Sequence, residues 1–291
     1  MRPYSTLLFD LGSTLIYARE PWPPILALAE QKLVRCLHQV GIPIESAALR
    51  NGFDTFLDAY YAYRDTDEHI EPTASVFLRE LLARNGFRSL PDPILRRALD
   101  SMYAVTERNW HVEEDAVSTL ASLRENGYRL GLISNASDED STQALVDQGG
   151  LRPFFDFILT SAGCRIRKPH PRIFQIALNH FKIQPEQAIM VGDTLEADIA
   201  GANNLGIYSV WITRRTGPGS DPSTGSPVPA LSRPPAPVAQ AQAGQDGAAH
   251  RPAFGAGLAQ AGQVSAIQPK AVIQSLSELP ALLESLHQPS P

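Results

Sequence analysis

The residues best suited to chemistry are acidic and stand where short apolar runs end. Asp10 follows Thr6-Leu7-Leu8-Phe9, and Asp193 follows Ala188-Ile189-Met190-Val191-Gly192, with Asp198 further along the same segment. A carboxylate in such a place can attack phosphorus to give an acyl phosphate, or can hold a hard cation. Lys168, between Arg167 and Pro169, can neutralise both a carboxylate and a phosphate. Ser134 and Asn135, with nearby backbone N–H groups, can hold phosphate oxygens, and Thr14 can donate toward the Asp10 carboxylate or cap the segment after it. Oxygen ligands without a Cys or His cluster favour magnesium over zinc. The cation would bridge Asp10, Asp193 and a phosphate oxygen, with the backbone carbonyl of Gly12 as a further ligand and Asp198 either as a ligand or as a support behind the ligands. Taken singly, each residue has an ordinary reading, a turn aspartate, an exposed lysine or a helix cap. In this order, each at a predicted strand end, they point to phosphoryl transfer.

The elements that must position them follow from hydrophobic patterning. Residues 6–9, 128–134, 157–160, 188–191 and 207–212 read as short buried strands, with helical periodicity around Leu120 and Leu123 and around Phe174 and Leu178. Strands alternating with helices predict an α/β fold, a Rossmann-like open parallel sheet. The gap between the first two strands is too long for one crossover. Its apolar spacing at Leu26, Ala29, Leu33 and Leu37, the aromatic segment 53–63, the pattern from Ala74 to Leu82 and that from Leu95 to Val105 predict a helical cap over the strand ends. The core is therefore assigned to residues 1–16 and 112–215 and the cap to 17–111. Residues 216–264, rich in Pro, Gly, Ala and Gln, are expected to be a disordered insertion able at most to make a weak protein contact, and 265–291 to return a last strand and helix to the core.

Length and composition set wide bounds. The chain has 291 residues, 43% hydrophobic, with a formal net charge of -6, which argues against a general nucleic-acid binder. Two cysteines, Cys36 and Cys164, form no close metal-binding pair and read as reduced thiols. Neither a membrane span nor a leader of the usual form is read, so a cytoplasmic location is expected.

Phe9-Asp10-Leu11-Gly12-Ser13-Thr14-Leu15, Ile133-Ser134-Asn135-Ala136, Lys168-Pro169 and Gly192-Asp193 through Asp198 resemble, in order, the four motifs of the haloacid dehalogenase-like hydrolase superfamily. The resemblance covers about Leu7 to Ile212, with Pro269 to Leu286 similar to the terminal strand and helix of such proteins. It implies a magnesium-dependent phosphatase of a small phosphorylated metabolite, with Asp10 as nucleophile, Ser134 and Lys168 on the phosphate, and the acidic fourth motif on Mg2+. True dehalogenases of the family lack a magnesium-binding GDxxxxD segment, which makes dehalogenation the weaker alternative. One departure stands out: family phosphatases usually have an acid/base Asp where this chain has Gly12. That opens a further alternative, a phosphate-ligand binding or regulatory protein with weak turnover. Neither Asp138, Glu139, Asp140 nor His111 has a spacing that identifies it as the replacement.

Overall fold

The computed structural model describes residues 3–50, 52, 69–215 and 267–287. The aromatic segment 53–63 and the insertion 216–264 lie outside the described residues. Along the chain the strands are β1 (Thr6–Phe9), β2 (Ile16–Ala18), β3 (Trp110–Val112), β4 (Arg129–Ser134), β5 (Phe157–Thr160), β6 (Ala188–Gly192), β7 (Tyr208–Ile212) and β8 (Ala271–Ile273). Six of them form one sheet in the order β5-β4-β1-β6-β7-β8, with every pairing parallel. The two strands β2 and β3 form a separate antiparallel ribbon.

The sheet is buried on both faces, which is why its strands read as unbroken apolar runs rather than alternating ones. Successive side chains still point to opposite sides. Leu7 and Phe9 face a layer with Leu120, Leu132, Val191, Leu276 and Leu279, whereas Leu8 faces Ile133, Phe174, Leu178 and Met190 on the other side. Register then decides where the chemistry stands. Phe9 pairs with Leu132 on one side and Val191 on the other, so Asp10 leaves the sheet between the ends of β4 and β6. That is the crevice at the carboxyl ends of the strands where open α/β sheets bind ligands.

Among the described residues the cap helices run Trp22–Gln39, Ala74–Arg84 and Asp92–Thr106. Pro23 and Pro24 lie in the first turn of the Trp22–Gln39 helix, where missing N–H groups cost nothing. The helices bury their own core, with Leu33, Leu37, Leu78, Leu82, Leu99 and Met102 at its centre, separate from the two layers of the sheet. The junction differs from the expectation of a wholly helical insertion. The chain enters and leaves it through the β2/β3 ribbon, which is stitched by Asn109: its side chain accepts from the Glu20 N–H (2.7 Å) and donates to the Glu20 carbonyl (2.9 Å). A further helix, Glu139–Gln148, follows the second motif and was not read from periodicity.

The terminal strand and helix are present. β8 extends the sheet beside β7, and Leu276 and Leu279 are fully buried in the layer that also holds Leu7 and Phe9. Because the Leu279–His287 helix shares that core, Leu279→Ala should lower unfolding free energy by about 2–5 kcal/mol. Urea unfolding should remain one transition; two transitions would mean that the terminal helix detaches on its own.

Candidate active site

Asp10, Lys168 and Asp198 form the centre of the crevice, all nearly inaccessible to solvent. The Lys168 ammonium lies 2.6 Å from Asp10 Oδ1 and 2.7 Å from Asp198 Oδ1, and donates to the Ile133 carbonyl at 2.7 Å. Its backbone is fixed as firmly: the Lys168 N–H donates to Asn135 Oδ1 at 2.8 Å, and Asn135 Nδ2 donates to the Lys168 carbonyl at 3.0 Å. Asp10 is placed by its own N–H, which donates to the Val191 carbonyl at 2.9 Å.

Asp198 reaches this point through an unusual turn. Residues Leu195–Ala200 form a π-helical segment in which the Thr194 carbonyl accepts from the Ile199 N–H, five residues on, at 3.4 Å as well as from the Asp198 N–H at 2.9 Å. Such wide turns bring side chains into places that a regular helix does not. Asp198 Oδ2 accepts from the Thr194 N–H at 3.0 Å, and the carboxylate lies directly over Gly192. A Cβ at position 192 would overlap Asp198 Cβ and Cγ, so the glycine is required by close approach. Asp193 stands beside it, its carbonyl accepting from Trp211 Nε1 at 2.8 Å.

Two residues are held in ways that the sequence did not show. Asn135, expected to hold phosphate, commits its amide oxygen and one amide N–H to the Lys168 backbone, so its side chain positions the lysine. Thr14, expected to donate toward Asp10, makes no hydrogen bond to it, and its buried hydroxyl has no protein partner. The turn explains this: Ser13 adopts a left-handed φ of 57°, its N–H donates to the Ile16 carbonyl, and Gly12 bridges to Ile16 as the chain doubles back into β2. Ser134 is buried at the end of β4 beside the Ile133 carbonyl that holds Lys168. Gly192, read only as part of the fourth motif, is required there by the approach of Asp198, and Trp211, which holds the Asp193 carbonyl, carries no signal in the sequence. Asp138, considered as a source of protons, caps the Glu139–Gln148 helix by accepting from the Ser141 N–H at 2.9 Å and pairs with Arg96 at 2.8 Å.

The electrostatics show an excess of negative charge. Oxygens of Asp10, Asp193 and Asp198 all lie within 4.8 Å of one another, against one ammonium. Burial pushes Asp10 up to about 6; Lys168 opposes the shift and Asp198 adds to it. Burial raises Asp193 well above the ordinary carboxylate range, with the charges of Asp10 and Asp198 contributing. Burial works to strip the proton from Lys168, but the two carboxylates overcome it and hold its pKa above the usual value. Three crowded carboxylates and an available hydroxyl donor at Thr14 fit a divalent cation accompanied by an anion.

A family model for haloacid dehalogenase-like hydrolases matches residues 4–206. The chain is 30% identical over 216 residues to a glyceraldehyde 3-phosphate phosphatase of Pyrococcus furiosus, covering 73% of this chain and 82% of that protein. It is 30% identical over 227 residues to one of Methanopyrus kandleri, covering 77% and 90%. Among solved structures, a HAD phosphatase of Thermococcus onnurineus aligns with a TM-score of 0.57 at 21% identity, over 98% of this chain and 100% of that one. A 2-haloacid dehalogenase of Pseudomonas syringae aligns with a TM-score of 0.59 at 23% identity, over 97% and 99%. These two likenesses show the shared fold.

Two outcomes test the site. Gly192→Ala should displace Asp198 from Lys168, lower unfolding free energy by roughly 1–3 kcal/mol and weaken Mg2+ binding in calorimetry. A variant with parental stability and Mg2+ affinity would show that the contact is dispensable. Second, in metal-free protein the folded state holds the Asp10 proton more tightly than the unfolded chain, whose carboxyl titrates near about 4. That stabilisation is complete below the unfolded value and is lost as pH rises through about 6. Asp10→Asn, which has no such proton to lose, should therefore gain stability relative to the parent as pH rises through this window, measured by urea unfolding in chelator. A difference that stays constant with pH would refute the shift.

Proposed function

The chain belongs to the haloacid dehalogenase-like hydrolase family, and we propose that within it the protein is a magnesium-dependent phosphatase of a small phosphorylated metabolite. The observation that carries this reading is the Lys168 ammonium set between Asp10 and Asp198, with Asp193 within 4.8 Å of both. Asp10 and Asp193, with the Gly12 carbonyl, would hold Mg2+, and Asp198, already tied to Lys168 and the Thr194 N–H, would stand behind them. When bound, the cation supplies charge neutralisation between an anionic nucleophile and an anionic phosphate.

The chain's own residues then account for the first half of the reaction. A carboxylate oxygen of Asp10 forms a bond to phosphorus while the bond from phosphorus to the ester oxygen breaks, leaving an aspartyl phosphate and an alcohol oxygen in need of a proton. Lys168 keeps Asp10 oriented and offsets charge as it builds on the phosphoryl oxygens. Ser134 and the Asn135 N–H would provide donors to those oxygens, with the Ala136 N–H held by Ser161, and Thr14 would contribute its available hydroxyl. Water must then attack the aspartyl phosphate to release phosphate and restore Asp10. Position 12 offers no side chain to move a proton in either half.

Gly12 also supports a second reading, a phosphate-ligand binding or regulatory protein that turns over slowly. The dehalogenase alternative is disfavoured by the third carboxylate: three crowded anions suit a cation better than a halide-releasing pocket.

The names of the relatives make glyceraldehyde 3-phosphate the first substrate to try, beside other sugar phosphates, nucleotides and acyl phosphates. Mg2+-dependent phosphate release should fall at least about 1000-fold in Asp10→Asn. Undiminished release from that variant would overturn the mechanism. Gly12→Asp should raise turnover of unactivated esters by about 100-fold or more if the missing acid limits the reaction. Saturable ligand binding without repeated turnover in the parent would select the second reading.

A further inference from the structure

Glu71 is a carboxylate without exposed surface, and it is delivered by the cap rather than by the sheet. Its segment is zipped to the core immediately before Lys168. Ile70 bridges Ile166 in antiparallel fashion, the Glu71 N–H donates to the Arg165 carbonyl at 3.1 Å, and the Arg167 N–H donates to the His69 carbonyl at 2.9 Å. The side chain then crosses to the second motif. Ser161 Oγ donates to Glu71 Oε2 at 2.8 Å and accepts from the Ala136 N–H at 2.8 Å, while Arg167 Nε lies 3.8 Å from the same carboxylate oxygen.

A buried carboxylate is costly, and an apolar side chain of similar size would commonly serve packing better. What Glu71 adds is direction. A serine hydroxyl has one proton, and here two acceptors compete for it: Glu71 Oε2 at 2.8 Å and the Ala136 carbonyl at 3.1 Å. The charge-assisted bond is the stronger one, so the proton goes to Glu71 and a lone pair is left facing the Ala136 N–H. Ala136 follows Asn135, which grips the Lys168 backbone, and Ser134, at the end of β4. Other contacts from the cap fall on the next two residues: the Ala74 N–H donates to the Ser137 carbonyl at 2.9 Å, and Arg96 pairs with Asp138 at 2.8 Å.

We propose that Glu71 is a positioning residue that couples docking of the cap to the phosphate-binding segment 134–136, by orienting the Ser161 hydroxyl that holds the Ala136 N–H. The phosphate-binding part of this proposal rests on the function proposed above. The coupling itself does not, since it concerns the backbone of residue 136 in the free protein.

The test uses the full chain with Glu71→Gln, Ser161→Ala and the double variant. Gln keeps the shape and an acceptor oxygen but removes the charge. Amide exchange at Ala136, referred to that at Val210 in β7, should rise about 3- to 10-fold in Glu71→Gln and at least about 10-fold in Ser161→Ala. The double variant should match Ser161→Ala, because the two residues act through one hydroxyl. Inorganic phosphate binding in the presence of Mg2+, followed by calorimetry, should weaken in the same order, and KM should rise with little change in kcat. Exchange that is unchanged, or that rises equally at Ala136 and Val210, would overturn the proposal, as would additive effects in the double variant or unaltered phosphate affinity. A parent that binds no phosphate would sink the functional reading and the phosphate half of this one, while the exchange result would still decide whether Glu71 sets the segment.

Discussion

The buried Lys168 ammonium is the interaction on which the site depends. It hydrogen-bonds Asp10 and the Ile133 carbonyl and pairs with Asp198 Oδ1, all within 2.7 Å. Those acceptors come from the end of β1, from the turn after β6 and from β4. One cation therefore sets the relative height of three adjacent strand ends. Buried ion pairs are weak contributors to stability, since hydrophobic replacement is often neutral or favourable. Retaining this one makes sense chemically, because it keeps Asp10 ionised and aimed in surroundings that would otherwise protonate it.

Burial and charge are balanced rather than minimised. Leu8, Phe9, Leu132 and Val191 exclude water from the strand ends, and the same exclusion raises Asp10 and Asp193 toward the neutral form. One lysine cannot offset three carboxylates. The packing that makes the sheet stable thus creates the demand for a cation. The site also draws its order from outside the sheet. Contacts from Arg96 and the Ala74 N–H fall on residues 137 and 138, and Glu71 reaches residue 136 through Ser161, so the loop after β4 is built jointly by core and cap.

Much of this was legible in the sequence because parallel strands buried on both faces leave contiguous apolar runs, and Asp10, Lys168 and Asp193 follow or lie between such runs. The five strands read from the core and the terminal Ala271–Ile273 strand all appear in the sheet. What escaped notice depends on contacts between distant residues. The ribbon strands have three residues each, too short to show a period. Nothing in the sequence shows that Asn135 grips the Lys168 backbone, and Gly192 reads only as part of a motif until Asp198 is seen to occupy the space of its missing Cβ. Glu71 lies in a polar stretch before a helix, and nothing local distinguishes it from a solvated glutamate.

The geometry also separates the two halves of the reaction physically. Bond formation at phosphorus needs fixed charge, and rigid strand ends supply it. Protonation of the leaving oxygen needs a mobile proton, and position 12, in the turn that doubles back at Gly12 and Ser13 into β2, has no side chain to carry one. The acidic residues after the second motif are already engaged: Asp138 caps its helix and pairs with Arg96, while Glu139 accepts from Thr160 and from Gln143. Without a donor from position 12, the barrier rises with the basicity of the departing oxygen. On the proposed reaction, leaving-group acidity would select substrates alongside shape: an acyl phosphate, whose leaving oxygen is a carboxylate, needs far less protonation than an ester of a simple alcohol.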